Sequence, residues 1–143
     1  MTTSLRFDPL PARTAPSDAT VWVDDGGAPL RCCLRDSRTG ERIALLAVTP
    51  VGPSGAYRET GPVLVHAEAC AGPATDDYPV DWRARAQVLR AYDPAGEIAG
   101  GEVVPAGADI EAAAGRLLAD PGIAFLQTRN VVHGCYMLTI RRA

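Results

Sequence analysis

The sequence has no lysine; all 14 of its basic residues are arginine. Alanine is abundant in the same chain, and the pairing matches the codon usage of a GC-rich genome, so arginine content alone carries no functional signal. Against 17 acidic residues the formal charge is −3. That balance lacks the basic face that broad nucleic-acid binding requires, and no nucleic-acid partner is expected. No apolar run approaches the ~20 residues of a membrane span. The opening MTTSLRFDPLPARTAPSDAT lacks the apolar core of a secretory signal. The expected compartment is therefore the cytoplasm, without membrane attachment, where thiols stay reduced. Also missing are G-x-S-x-G, H-E-x-x-H, Walker and G-x-G-x-x-G patterns, which removes the commonest hydrolase, zinc-protease and nucleotide-binding readings.

What is present describes one domain over residues 1–143, with 1–20 partly an arm or loop. A chain of this length buries roughly two-thirds of its unfolded surface and needs no staple to fold. Turn residues divide it into short β-like pieces. SLRFDPL reads as an edge strand and TVWV as a short strand. PLRCCLRD and ERIALLAVTP read as a hairpin turned at Gly40, and PVLVHA as a further strand. VDWRARA holds one helical turn. QVLRAYD and EIAGGEVV form a second hairpin around Asp93-Pro94-Ala95-Gly96, with a bulge expected near Gly100 and Gly101.

One helix is predicted, over about residues 109–119. Asp109 is a favoured N-cap. Ile110, Ala113, Ala114, Leu117 and Leu118 recur at helical spacing, and Asp120-Pro121-Gly122 ends the run. Two strands, IAFLQTR and CYMLTIRR, close the chain. Many strands with a single late helix predict an α+β fold, a largely antiparallel sheet with the helix packed on one face.

Four cysteines occur, Cys32, Cys33, Cys70 and Cys135, with two histidines, His66 and His133. On a strand, Cys32 and Cys33 point to opposite faces. Cys32 then shares a face with Leu34 as a core residue, and Cys33 lies between Arg31 and Arg35, where cations favour a thiolate. His66 and Cys70 would lie roughly 13 Å apart on a straight strand, too far for one metal ion. A curl after Ala67 would bring them together. Zinc would need two further ligands. Cys33 and Cys135 are available, but neither sits in a C-x-x-C spacing. No metal ligands are assigned and no cofactor is expected, with structural zinc the one exception considered. The candidates for a catalytic thiol site are Cys33 or Cys70 as nucleophile and His66 as base. Arg35, Arg90 and Arg129 stand at strand ends, with Asn130 beside the last. Guanidinium groups bind carboxylates and phosphates in bidentate fashion, so these four residues are the candidate ligand-binding set.

RCCLRDSRTGER, YRETGPVLVHAEAC, VLRAYD and RNVVHGCYMLTI together resemble the bacterial family designated domain of unknown function 1203, over about Leu30 to Ile140. The pattern matches at Cys33, Arg35, Asp36, Glu59, Gly61, His66, Cys70, Arg90, Tyr92, Arg129, Asn130, Gly134 and Cys135. It departs at His133, where relatives carry an aromatic residue. The resemblance implies one compact bacterial domain and brings no established activity. The leading expectation is a module that binds a small anion or acidic ligand in an arginine-lined pocket. The alternative is a thiol-dependent enzyme. A third reading is a structural partner of another protein through an exposed sheet edge, and a homodimer is considered, with no interface located by Trp22 and Trp82.

Overall fold

Turn chemistry cuts the chain into short strands because Gly, Pro and Asp recur before any run exceeds seven residues. In a computed structural model, which describes residues 4–11 and 19–143, the strands are Leu5–Asp8 (β1), Thr20–Val23 (β2), Pro29–Leu30 (β3), Arg35–Asp36 (β4), Arg42–Val48 (β5), Gly61–His66 (β6), Gln87–Tyr92 (β7), Ile98–Val104 (β8), Phe125–Asn130 (β9) and Tyr136–Arg142 (β10), with one helix, Ile110–Leu118 (α1). The fold is α+β, as predicted.

The strands divide between two sheets. The first has the order β1-β10-β9-β7-β8, with every pairing antiparallel. The second has the order β2-β5-β6-β3-β4, with a parallel pairing only between β3 and β6. The helix packs on the first sheet. Ile110, Ala113, Ala114 and Leu118 are buried with Leu89, Leu126, Leu138 and Ile140 in one apolar cluster. Asp109 caps the helix, its side chain accepting from the Ala112 backbone N–H at 3.0 Å. A second cluster, built on Leu30, Ile43, Ala44, Val63 and Val65, fills the second sheet and takes Tyr136 from the first.

Two hairpin expectations met different outcomes. β7 and β8 pair as predicted, and the register slips by one residue between Ala91 and Tyr92. The extra residue is Ala99, next to Gly100, and Gly101 pairs in regular register with Arg90, where a Cβ would collide with the Leu89 carbonyl oxygen. The hairpin expected between PLRCCLRD and ERIALLAVTP does not form. β4 instead turns back on β3, and β5 pairs with β2 and β6. The cause is local: Leu34 N–H bonds to the Leu30 carbonyl at 2.9 Å, closing a turn where an extended strand was expected. A 3-10 turn at Val80–Trp82 matches the helical turn read from VDWRARA. Trp82 is fully buried, and its indole N–H donates to Asp36 of β4 at 3.1 Å, tying the two sheets together. Among the described residues, no helix is long and apolar enough to cross a membrane.

Arg83 and Glu111 form a two-pronged pair, Nη1 to Oε1 at 2.7 Å and Nη2 to Oε2 at 2.8 Å. The Arg83 guanidinium therefore holds the Glu111 carboxyl below its ordinary range. A depressed carboxyl contributes stability above its unfolded pKa and loses it as pH falls through the folded value. Glu111→Gln should lower stability at pH 7 by about 0–1 kcal/mol, as befits a partly exposed pair. The deficit should vanish in acid. Urea unfolding of both forms across pH checks this, and a deficit that persists at pH 2 would refute the pairing as its source.

Candidate functional site

The turn between β3 and β4 sets the geometry. Residues 31–34 are in turn conformation, and Leu34 takes a left-handed φ of 54°. In a helical turn, successive side chains diverge by about 100° and not by the 180° of a strand. Cys32 and Cys33 therefore address the same region. This corrects the expectation that they face opposite sides of a strand.

His66 ends β6, and the chain bends at residues 67 and 68. The bend returns Cys70 to the histidine ring, with Cys70 Sγ at 3.3 Å from His66 Nδ1. Cys32 Sγ and Cys33 Sγ stand at 3.6 and 3.8 Å from the same nitrogen. All four donor atoms lie within 4.8 Å of one another, close enough to hold a metal ion. The curl that sequence alone left open is present. Cys32, set aside as a core residue, takes the place considered for Cys135.

A tetrahedral zinc ion with about 2.3 Å to sulfur and about 2.0–2.1 Å to nitrogen requires N···S edges of roughly 3.5–3.6 Å. The three observed N···S distances bracket that value. The remaining polar contacts orient the same donors. The Nε2 side of His66 meets Glu41 Oε2 at 2.8 Å. A carboxylate only accepts, so Nε2 carries the proton and Nδ1 presents its lone pair to the sulfurs. Glu41 is itself gripped by Arg35, Nη1 to Oε1 at 2.8 Å and Nη2 to Oε2 at 2.7 Å. Two backbone amides aim at sulfur, His66 N–H at Cys32 (3.3 Å) and Gly72 N–H at Cys70 (3.4 Å).

These contacts polarise the thiols unequally. Hydrogen bonding from the Cys33 thiol, working against burial and helped by the His66 backbone amide, lowers Cys32. Cys33 is pushed up by its bond to Cys32 and by burial, and Cys70 is raised mainly by burial. The Arg35 fork holds Glu41 far below the usual carboxylate range.

The other candidates lie elsewhere. Arg35 belongs to the thiol cluster, bound to Glu41. Arg90 and Arg129 share a different carboxylate, Glu59, at 2.7 and 3.3 Å. Arg129 also donates to Gln127 Oε1 through Nε and Nη2 and to the Gly134 carbonyl through Nη1. Asn130 lines a third place, a cleft of about 470 Å³ with Arg31, Arg85, His133 and Cys135. Arg31 was not singled out from sequence. It is 97% buried, being 3% exposed, and burial brings its pKa down to about 10. Its position within the Arg31-Cys32-Cys33 run was the one available signal, and an extended reading of that run hides it.

Fold and cluster together define an α+β domain with a Cys3His donor set at the end of its second sheet. The family model described as "Protein of unknown function (DUF1203)" matches residues 27–142, and the chain belongs to that family. No curated protein and no solved structure matches the chain.

In the metal-free protein, the Cys32–Cys33 pair should lose its first proton well below the ordinary thiol range, so that a thiolate persists at pH 7 and is lost only in acid. Ultraviolet thiolate absorbance during an acid titration measures it. A cluster whose thiols all ionise only in the ordinary range near 8–9 would show that the hydrogen bonds to Cys32 do not operate in solution.

Proposed function

We propose that the domain binds one zinc-class divalent cation through the sulfurs of Cys32, Cys33 and Cys70 and Nδ1 of His66. The ion acts as a structural clamp on the second sheet. The observation that carries this reading is the convergence of three sulfurs on one ring nitrogen at 3.3–3.8 Å, with the opposite ring nitrogen committed to Glu41. Soft sulfur with imidazole favours zinc-class ions over magnesium or calcium. Four protein donors fill a tetrahedron and leave no position for a reacting water, the hallmark of structural sites. A dication with three thiolates keeps about one negative charge, and the Arg35 guanidinium beside His66 offsets it. Loading would pin the segment after β6 to the β3–β4 turn. All four cysteines are free thiols, which suits a reducing compartment such as the cytoplasm.

One observation favours the thiol-enzyme alternative. Cys70 is half-buried and lines an open cleft with His66 and Arg35, an arrangement a Cys–His nucleophile could use. Alkylation separates the two readings. A closed metal site protects all three sulfurs until a chelator is added, whereas a nucleophilic Cys70 reacts rapidly in the protein as isolated.

Cobalt(II) titration of the metal-free protein tests the proposal. Intense visible bands with thiolate charge transfer, saturating at one equivalent, are expected. Cys70→Ser should shift these bands and weaken binding severely. Glu41→Gln should lower zinc affinity by about 10–100-fold, the usual effect of losing the carboxylate behind a ligating histidine. A pale octahedral spectrum, or no uptake at one equivalent, would overturn the assignment.

A further inference from the structure

Arg31 is a buried cation with only carbonyl partners. Its Nε donates to the Tyr136 carbonyl at 2.7 Å and its Nη1 to the Pro29 carbonyl at 2.6 Å. No carboxylate pairs with it among the described residues, and its Nη2 has no hydrogen-bond partner there. A buried charge without a counter-charge costs several kcal/mol. Burial perturbs it most, and of the neighbouring groups that act on its charge, Cys135, Arg85 and Tyr136, none is a carboxylate. Arg31 and Arg85 line the cleft of about 470 Å³ together with Leu45, Pro62, Val63, Leu64 and Asn130.

We propose that this cleft binds a small organic monocarboxylate, its carboxylate on Arg31 and Asn130 and its apolar body against Leu45 and Leu64. The charge follows from a count. Arg85 is already matched by Asp36, its Nη2 lying 3.2 Å from both carboxylate oxygens, which leaves one positive charge, that of Arg31, for one negative charge on a ligand. The apolar body follows from the apolar share of the lining, Leu45, Pro62, Val63 and Leu64, since small-ligand sites combine apolar lining with a few convergent polar groups. The volume suits a molecule larger than a bare ion and falls in the usual range of ligand pockets, roughly 300–1,000 Å³. The cleft is separate from the thiol cluster, and the inference does not rest on the metal reading.

Calorimetric titration of the full chain with hexanoate tests it, with hexanol and inorganic phosphate as comparators and with zinc both present and absent. Hexanoate should bind at one site, about tenfold or more tighter than either comparator, because each lacks one of the two recognised features. Arg31→Met should abolish the preference for hexanoate over hexanol. Arg31 also braces two carbonyls, so Leu45→Trp serves as the second variant. Leu45 is exposed on its strand and lines the cleft, so a tryptophan there adds bulk to the cleft and leaves the Arg31 side chain in the protein. That variant should lose hexanoate binding by about tenfold or more while its unfolding midpoint stays put. Equal affinity for hexanol, equal affinity for phosphate, or binding that survives Leu45→Trp would each overturn the proposal. Failure of hexanoate to bind with cobalt uptake intact would sink this site alone.

Discussion

The backbone of Leu34 is the constraint on which both candidate sites depend. A left-handed φ costs a residue with a Cβ about 1–2 kcal/mol. Leu34 meets that cost because its side chain is buried in the helix-side core with Trp82 and Leu89, and full burial of a leucine contributes about 1.5–3 kcal/mol. The core of one sheet thus holds closed a turn that belongs to the other. Were residues 31–34 extended, Cys32 and Cys33 would part to opposite faces and Arg31 would swing away from Tyr136.

Arginines 31 and 35 flank this turn and are treated in opposite ways. Arg35 spends its fork on Glu41, and Glu41 fixes the tautomer of His66. Its charge is used to orient. Arg31 is sealed among carbonyl oxygens, which accept hydrogen bonds and carry no full charge. Its positive field therefore reaches the adjoining cleft. Pairing Arg31 with an internal acid would have been the simpler route to a stable core. The chain instead leaves that charge unmatched among the described residues, and unmatched buried charge marks a place built for something else.

Arg90 and Arg129 illustrate the contrasting case. Glu59 bridges them, Gln127 accepts from Arg129 and from the Tyr92 hydroxyl, and Tyr92 stacks on Phe125 with ring centroids 4.8 Å apart. The guanidinium and hydroxyl donors meet acceptors within the protein, and the buried amide nitrogen of Gln127 is left without a partner. The charges in this stretch of the first sheet are therefore paired internally, as low-dielectric surroundings favour.

Local chemistry was legible where it acts within a few residues. The Asp109 cap, the apolar face of α1, the Asp93–Gly96 turn and the bulge beside Gly100 all follow from spacing and residue type, and each appears. The division into two sheets was hidden, because strand pairing joins residues far apart and many pairings satisfy the same alternation. The thiol cluster was half visible: His66 and Cys70 lie in one segment, but Cys32 and Cys33 reach them across 34 and 33 residues of chain. Their identity as soft donors was settled by sequence alone. Whether they meet was decided by tertiary packing, because only the buried Leu34 side chain compensates the backbone conformation that turns both sulfurs to one side.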